Sequence, residues 1–424
     1  MQKVVRFYPP SYDIRVEEVP IPSIQHPDDA IVKITLAGLC GSDLHVYRGH
    51  QHVNKIHTCG HEFVGEVTDL GSSFGDQITG RPVLYSKLKI GHRVVSPFSI
   101  SCGECHPCRQ GFTSRCTESL LIGSPALDGA QAQYIRVPKA GGTLVSLSDP
   151  STWQSSIPEA ARAKVLSTLN DSSLLLLADI LPTGLFAAVQ ALNHPKLGPI
   201  VKQAPWPMFD GLPTLSDPPA AIEKTITVAI IGLGPVGICA AISLIDYCAA
   251  CKLSYRILGV DLNEARRDKL ERIYAAIGDD WKAQGQLKIS SSEGAKENIQ
   301  AWTAGIGCDA VLEVVGHSNA LMLSYELVRP FGVITSVGVH SNNQLPFLGS
   351  DCYNKNISLD FGRCPARAFF PAALDLLVKR QDIFGSVGEE TSLIDQIVGI
   401  DNAKESYRAF DKGEVGKVLF NPWK

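Results

Sequence analysis

Residues 225–237, TITVAIIGLGPVG, place a continuous apolar strand directly before a G-x-G-x-x-G turn. The next residues, 238–244, read ICAAISL and continue as an apolar helix. A strand without polar alternation is typical of a parallel sheet that is buried on both faces. The glycines allow a tight turn and let a phosphate approach the positively polarised N-terminus of the helix. The pattern therefore predicts a doubly wound α/β domain.

An acidic residue ends the next apolar strand, Leu258-Gly259-Val260-Asp261. A carboxylate at this place accepts hydrogen bonds from ribose hydroxyls and repels a 2′-phosphate, which favours NAD over NADP. Arg266 leaves two interpretations open, because its guanidinium can offset a phosphate or stack on the adenine. Apolar runs at 310–315 and 332–339 predict further strands of the same Rossmann sheet, so we place the nucleotide domain at about 184–340.

Two polar clusters lie in the N-terminal half, CGSDLH at 40–45 and GHEFVGE at 60–66. They stand among short alternating strands at 4–7, 14–19, 30–37 and 64–67, a pattern typical of a small barrel-like sheet. Thiolate and imidazole are preferred zinc ligands, and a catalytic zinc takes three protein ligands. Cys40 and His61 would supply two of them. Asp43 could orient the imidazole, and Ser42 and His45 could carry a proton.

Four cysteines follow in the spacing C-x2-C-x2-C-x7-C, namely Cys102, Cys105, Cys108 and Cys116. Four thiolates so close in sequence can surround one ion, as in a closed structural zinc site. An iron–sulfur cluster is the rival, but in ferredoxins the fourth cysteine follows after three residues and precedes proline. Here the gap is seven residues and no proline follows. The spacing therefore favours structural zinc.

Cys-Gly-Ser-Asp-x-His, followed by Gly-His-Glu-x-x-Gly, the cysteine lobe and the glycine turn, resembles the zinc-dependent medium-chain alcohol dehydrogenases. The resemblance covers nearly the whole chain. It implies a GroES-like β-rich catalytic domain at 1–183, the NAD-binding Rossmann domain at 184–340, and a return to the catalytic domain at 341–424. It also implies hydride transfer between an alcohol and NAD, with one catalytic and one structural Zn²⁺.

The third ligand of the catalytic zinc is expected within LLLLADILPTG, residues 174–184. Many relatives have cysteine there, but Asp-x-x-x-Thr-Gly resembles the branch of glutathione-independent formaldehyde dehydrogenase. That resemblance implies Asp179 as the ligand, while a helix cap is the alternative role. Glu62 either approaches the metal when water or substrate leaves, or makes hydrogen bonds behind the ligands.

The resemblance also implies a proton relay and a set of cofactor contacts. The relay would run from Ser42 through the cofactor ribose to His45, unless His45 is simply a surface histidine. The residues expected to bind the cofactor are Thr183, Gly232, Gly234, Pro235, Val236, Gly237, Asp261, Arg266, Val315, Val337 and Val339.

The composition excludes several classes of partner. The chain has 424 residues, 45% of them hydrophobic, and 39 basic against 43 acidic residues give a net charge of -4. No basic stripe predicts nucleic acid, and no apolar run approaches the length of a membrane span. The start lacks the apolar core of a signal peptide, and with 12 cysteines this predicts reduced thiols in the cytoplasm. We expect a small-molecule substrate and a homodimer or homotetramer.

Two stretches depart from the pattern of the family. Residues 71–90 are rich in Gly and Ser and predict a surface excursion. Residues 195–225 are dense in proline and predict a long loop that is functional or mobile.

Two other functions fit the same motifs. One is a carbonyl or enal reductase that works in the reverse direction in a biosynthetic pathway. The other is a zinc- and nucleotide-binding relative without turnover, although such a protein would have no need of both Ser42 and Asp179.

Overall fold

The computed structural model describes residues 1–75, 78–204, 206, 224–340 and 344–424. The chain divides into two compact units, Met1–Pro182 with Cys364–Lys424, and Thr183–Arg363. The second unit ends at 363 and not at the expected 340, because one further strand joins its sheet beyond that point. The predicted strand at 310–315 also ends early, since the backbone N–H groups of Val315 and Gly316 donate to the Glu313 carboxylate.

The strands share short, mostly apolar sequences. They are β1 (Gln2–Tyr8), β2 (Asp13–Val19), β3 (Ala30–Leu39), β4 (His57–Thr58), β5 (Phe63–Leu70), β6 (Arg93–Ser96), β7 (Tyr134–Val137), β8 (Val145–Ser146), β9 (Thr225–Ile231), β10 (Ser254–Val260), β11 (Gly285–Ser290), β12 (Cys308–Glu313), β13 (Val328–Ser336), β14 (Ser358–Phe361), β15 (Ile394–Gly399) and β16 (Lys417–Asn421).

The helices connect these strands. They are α1 (Gly41–Tyr47), α2 (Leu84–Lys87), α3 (His106–Arg109), α4 (Ala140–Thr143), α5 (Glu159–Thr168), α6 (Asp171–Leu175), α7 (Ile180–Leu192), α8 (Gly198–Lys202), α9 (Pro235–Cys251), α10 (Glu264–Ala276), α11 (Asp279–Lys282), α12 (Ser292–Thr303), α13 (Ser318–Leu327), α14 (Gly349–Lys355), α15 (Ala366–Lys379), α16 (Gln381–Phe384) and α17 (Ala403–Asp411). Short 3-10 helices cover Thr113–Arg115, Pro150–Thr152, Leu176–Ala178, Pro195–Leu197 and Ile400–Asn402.

The first unit is built on two sheets. One has three strands in the order β2-β1-β4, and the other has seven, in the order β15-β16-β3-β5-β6-β8 with β7 also paired to β3. Most neighbours are antiparallel, as the short alternating strands predict. The C-terminal β16 pairs with β3, so the end of the chain completes the sheet that begins near residue 30.

The second unit contains the predicted parallel sheet. Its six strands have the order β11-β10-β9-β12-β13-β14. β9 spans the predicted residues 225–231 and lies between β10 and β12. Its residues after the first are all buried, which explains their unbroken apolar character. The glycine turn therefore lies where the strand order reverses, the usual place for a ligand in such sheets.

The described part of the stretch 71–90 is exposed at many positions, as its composition predicts, but it is also anchored to the core. Leu84, Tyr85 and Leu88 are buried, and the Tyr85 backbone carbonyl accepts from the N–H of Gly75. The Tyr85 ring packs against Phe74 with 5.0 Å between ring centroids. Apolar anchors every few residues thus hold this Gly- and Ser-rich segment to the core.

The prediction of a long loop at 195–225 is only partly covered by the described residues. Its first part is helical, in Pro195–Leu197 and α8, and its end belongs to β9. Residues 205 and 207–223 lie outside the described residues.

Within the described ranges, no single helix is long and apolar enough to cross a membrane. One bent pair, Asp171–Ala178 with Ile180–Leu192 at 49°, meets the test of length and composition.

Candidate active site and metal centres

The first cluster begins at the N-terminus of α1. Cys40 precedes this helix, and its backbone N–H donates to Asp43 Oδ2 at 2.9 Å. The other oxygen of the same carboxylate lies 3.4 Å from His61 Nδ1. Asp43 therefore fixes the imidazole through Nδ1 and leaves Nε2 turned toward the cluster, as the predicted orienting role requires.

Asp179 reaches this cluster because the chain breaks its helical path there. It lies between the 3-10 turn Leu176–Ala178 and α7, with φ −148° and ψ −69°. Its Oδ2 lies 3.2 Å from His61 Nε2 and 3.7 Å from Cys40 Sγ. Ser42 Oγ lies 3.2 Å from the same His61 Nε2. The structure thus brings together the four side chains that sequence assigns to metal binding and proton transfer at this point.

Glu62 is fully buried beside the cluster and has a buried cationic partner, Lys417. The Lys417 ammonium donates to Glu62 Oε2 and, at 3.1 Å, to the Leu39 carbonyl. Glu62 Oε1 has no hydrogen-bond partner among the described residues. A side chain at Gly38 would collide with Glu62 Oε2, so glycine is needed there. Lys417 therefore anchors Oε2, and Oε1 stays available to a ligand.

Charge in this cluster is unbalanced. Burial raises the pKa of the Cys40 thiol, and the neighbouring Glu62 and Asp179 carboxylates raise it further. Burial alone would lower the pKa of His61, but Asp43 and Asp179 outweigh it and raise the pKa well above its usual range. Burial also raises the pKa of Glu62, against the attraction of Lys417. The site therefore concentrates negative charge that a cation would relieve.

The donor set fits a divalent metal. One ligand atom each from Cys40, His61, Glu62 and Asp179 lies within 4.8 Å of all the others. Sulfur, imidazole nitrogen and carboxylate oxygen are all zinc ligands, and the unpartnered Glu62 Oε1 is the kind of buried orphan atom that an ion satisfies. Three of these donors are the predicted ligands.

His45 lies on α1, one turn after Ser42. It is partly buried and helical, whereas the alternative interpretation is a surface histidine in a loop, and its Nδ1 is buried without a partner among the described residues. Burial lowers the pKa of His45, and the positive charges of His50 and Arg48 lower it further. A neutral imidazole at this place can accept a proton.

The second cluster is the four-cysteine lobe. The Sγ atoms of Cys102, Cys105, Cys108 and Cys116 all lie within 4.8 Å of one another. Backbone N–H groups donate to the sulfurs. The N–H of Cys105 donates to Cys102 Sγ at 3.2 Å, and the N–H of Cys102 donates to Cys116 Sγ at 3.2 Å. Burial opposes ionisation of Cys105, but hydrogen bonds from Thr117 and Cys108 lower its pKa to about 6. Burial raises the pKa of the Cys108 and Cys116 thiols, so a bound cation would be needed to hold all four sulfurs as thiolates.

Elements remote in sequence support the lobe. Arg81 pairs with Glu104 at 2.7 Å and with Asp28 at 3.0 Å, and its guanidinium lies 3.7 Å from the Tyr85 ring centroid. Arg367 of α15 donates to the Gly141 carbonyl at 3.4 Å, and its Nε is buried without a partner in the described part of the chain. The stretch 71–90 therefore packs on the lobe and braces it.

The glycine turn of the second unit has the form that its sequence predicts. Gly232 has φ +97°, where an L side chain is strained, and Gly234 precedes α9 with Pro235 at its first position. A side chain at Gly237 would meet the Gly232 carbonyl, whereas the space at Gly234 is open up to Arg266. The turn fits a pyrophosphate because its backbone is bare at the helix N-terminus. Thr183 is buried on α7 before Gly184, which packs against Cys239 of α9.

Asp261 stands at the end of β10, as predicted, and it also holds the turn. Its Oδ2 accepts from the N–H of Leu233 at 2.7 Å and its Oδ1 from that of Asn263 at 2.8 Å. Arg266 Nη1 lies 3.7 Å from Asp261 Oδ2. The carboxylate keeps spare lone pairs for a ribose, and the nearby guanidinium is also available to a phosphate.

The three predicted valines follow β12 and β13. Val315 is 42% exposed just after β12, and a side chain on Gly232 would touch it. Val337 and Val339 follow β13, and both are partly buried. Because the carboxyl ends of parallel strands share one edge of the sheet, these residues lie at the same edge as the glycine turn.

Sequence interpretation missed Lys417 and Arg367. Both lie in the last part of the chain and act on residues hundreds of positions earlier, so no local motif includes them. One signal was available: Lys417 opens the apolar run KVLF, and a lysine in a buried strand needs a counterion.

Comparison with known proteins agrees with this geometry. The family described as "Alcohol dehydrogenase GroES-like domain" matches residues 26–149, and "Zinc-binding dehydrogenase" matches 235–379. Zinc-type alcohol dehydrogenase B of Aspergillus flavus is 38% identical over 99% of this chain and 81% of its own length. A medium chain reductase/dehydrogenase of Acremonium sp is 38% identical over 83% of this chain and 98% of its own.

Solved structures and a more distant relative extend the comparison. Alcohol dehydrogenase TADH from Thermus sp. ATN1 superposes with a TM-score of 0.71, at 28% identity and 99% coverage of both chains. The formaldehyde-related branch is represented by formaldehyde dismutase of Pseudomonas putida, only 25% identical over 97% of this chain and 95% of its own. The chain belongs to the zinc-dependent medium-chain alcohol dehydrogenases, a family of oxidoreductases.

Proposed function

We propose that this protein interconverts an alcohol and its carbonyl compound, with zinc held by Cys40, His61 and Asp179 and with NAD as the hydride carrier. The observation that carries the proposal is that Asp179 Oδ2 and Ser42 Oγ each lie 3.2 Å from His61 Nε2, while Cys40 Sγ lies 3.7 Å from the same Asp179 oxygen. A purely structural site would be closed by its ligands and would have no use for an adjacent hydroxyl.

The chemistry divides between bound groups and the chain. Zinc supplies Lewis acidity toward a substrate oxygen, and the nicotinamide takes or gives the hydride. Asp43 holds the His61 ring by Nδ1. Ser42 Oγ accepts the hydroxyl proton of the alcohol as it gives up its own, and His45, which is neutral because its pKa is lowered, takes up that released proton and passes one on to solvent.

Glu62 serves in this proposal as a reserve ligand. Lys417 anchors one of its oxygens, and the other has no partner among the described residues although it is buried. A carboxylate so placed can satisfy a cation while water or substrate is exchanged. The four-cysteine lobe holds the second zinc and takes no part in the reaction.

The proposed cofactor is NAD, because Asp261 presents a carboxylate where the adenosine ribose would lie. NADP is the second candidate, and one observation favours it: Arg266 lies 3.7 Å from that carboxylate and beside the open face of Gly234. Like-charge repulsion costs several kcal/mol. We therefore expect NAD to win by at least about tenfold in kcat/KM, or roughly 1.4 kcal/mol.

The substrate class is a small alcohol, aldehyde or ketone. Formaldehyde is one member of that class, suggested by the distant dismutase relative and by aspartate as third ligand. The reverse, carbonyl-reducing direction uses the same residues. We further propose a homodimer or homotetramer, which sedimentation would measure, and a cytoplasmic location, which the reduced cysteines support.

The test is a screen of alcohols and aldehydes with zinc-replete protein, following reduced-cofactor absorbance with NAD and with NADP. We expect turnover with at least one alcohol and the NAD preference given above. Asp261→Ser should reduce that preference. Arg266→Ser should weaken only NADP use where the guanidinium meets a 2′-phosphate, and use of both cofactors where it stacks on the adenine. Comparable wild-type efficiency with NADP, or an unchanged preference in Asp261→Ser, contradicts the cofactor assignment. Binding of NADH without turnover of any substrate would favour the non-catalytic alternative.

A further inference from the structure

A buried polar cluster of Glu313, Ser336 and His340 lies at the carboxyl ends of β12 and β13, separate from both metal clusters. Glu313, the last residue of β12, is fully buried. Its Oε2 accepts from Ser336 Oγ at 2.6 Å and lies 3.2 Å from His340 Nε2. Ser336 Oγ and His340 Nε2 are 2.7 Å apart. Three side chains from two strand ends thus share one network.

The same carboxylate also fixes backbone. Glu313 Oε1 accepts from the N–H of Val315 at 2.9 Å and of Gly316 at 2.7 Å. Burial would raise the pKa of Glu313, but hydrogen bonds from His340, Ser336 and Gly316 lower it, so the group is ionised. A buried carboxylate with four donors is costly to disturb, since each donor would lose a charge-assisted bond.

The two loops that leave β12 and β13 are in backbone contact. Gly316 has φ +80°, and a side chain there would collide with the backbone of Val339. A side chain on Gly338 would in turn collide with the Gly316 N–H. The loops after β12 and β13 meet with no side chain between them. The hydrogen bonds of Glu313 to Val315 and Gly316 therefore restrain the backbone of both loops.

The position of this cluster in the sheet indicates which half of the cofactor would lie beside it. β9 carries the glycine turn, and Asp261 follows β10 on one side of it, so the adenosine half belongs to the β10 side. β12 and β13 lie on the other side of β9, which leaves them the nicotinamide half. His340 is 21% exposed by its side chain and lies edge-on to Phe361, with 5.3 Å between ring centroids.

We propose that Glu313, Ser336 and His340 are positioning residues that hold the backbone of Val315–Gly316 and Val337–Val339 in place for the nicotinamide half of the cofactor. This inference rests on the proposed function, because it assumes that the second unit binds a nicotinamide dinucleotide. The three residues act through the loops and take no part in the hydride transfer itself.

The test compares two ligands that differ only at the nicotinamide end. NADH and ADP-ribose are titrated into the zinc-replete full-length protein, with NADH fluorescence and its emission maximum as readouts for the ring and calorimetry for both. In His340→Ala we expect the Kd for NADH to rise about tenfold and the emission shift of the bound ring to shrink. The Kd for ADP-ribose should change by less than twofold. His340→Gln, whose amide N–H can replace the imidazole donor, should recover most of the NADH affinity.

The matched control lies at the opposite end of β12 from Glu313. Arg329 pairs with Asp309 at 2.7 Å, and Asp309 also accepts from the Thr227 N–H. Arg329→Gln breaks a comparable buried contact of β12, and we expect it to lower stability without separating NADH from ADP-ribose. Equal losses for both ligands in His340→Ala, or an unchanged NADH affinity, would overturn the inference. Wild-type protein that binds neither ligand would overturn the proposed function as well, and the two failures are therefore distinguishable.

Discussion

The two metal clusters of the first unit differ in how the chain assembles them. The lobe takes four sulfurs from Cys102 to Cys116 and surrounds them with backbone N–H groups. The mixed cluster takes its donors from Cys40, His61, Glu62 and Asp179, and needs a lysine from the C-terminal strand. The first is closed and complete within one loop. The second holds a surplus carboxylate and an adjacent hydroxyl, which is what exchange of ligands and transfer of protons require.

The largest expected effect concerns the lobe. Cys105→Ser should remove one zinc equivalent and much of the metal-linked folding free energy, which is on the order of 10 kcal/mol for structural zinc in small domains. Metal analysis and urea unfolding of the purified variant measure both effects.

Cys251→Ser is the matched control for the lobe variant, because that cysteine is exposed and belongs to neither cluster. A Cys105→Ser protein with full zinc content, or iron in place of zinc, would mean that the lobe is not a structural zinc site.

The mixed cluster should respond differently. Asp179→Ala is expected to lower kcat/KM by at least about 10³-fold, or about 4 kcal/mol, through loss of the open zinc. The lobe zinc and NADH binding should persist, because their residues are elsewhere. Asp179→Cys should regain part of the metal, since thiolate is also a zinc ligand. If Asp179→Ala keeps its activity and both metals, Glu62 becomes the third ligand.

The sequence predicts the sites built from local motifs better than those assembled from distant parts of the chain. The four cysteines and the glycine turn are local motifs, so their geometry was accessible from spacing alone. Asp179 needed a resemblance, because a break before α7 turns its side chain toward Cys40. Lys417 lies 355 positions from Glu62, and only the pairing of β16 with β3 brings them together. The burial of Tyr85 was hidden for a similar reason, since Gly- and Ser-rich composition does not reveal a tertiary anchor.

The buried ion pair offers a sharper separation of the two clusters. Lys417→Met leaves the Glu62 charge buried without its partner, and we expect a loss of about 3 kcal/mol in the free energy of unfolding. Adding Glu62→Gln should restore part of that loss. Urea unfolding of zinc-loaded protein measures both.

Lys412→Met is the matched control for the ion pair, because this lysine is half exposed and its pair with Glu414 at 3.5 Å contributes little. Equal stability of the Lys417 and Lys412 variants would show that the buried pair does not hold the mixed cluster together.

The smallest expected effect tests the need for a proton route, which only the mixed cluster has. Burial, His50 and Arg48 lower the pKa of His45, so the imidazole stays neutral and able to accept a proton to lower pH than an ordinary histidine. Alcohol oxidation should therefore fall only as the pH drops through that lowered pKa, and the acid limb of kcat should lie below about 6.5. His45→Ala should reduce kcat about tenfold near neutral pH and remove this limb. His50→Gln removes a neighbouring positive charge, so it should move the limb to higher pH while kcat at pH 8 stays unchanged. Stopped-flow and steady-state pH profiles measure these shifts, and an unaltered profile in His45→Ala would exclude His45 from the proton route.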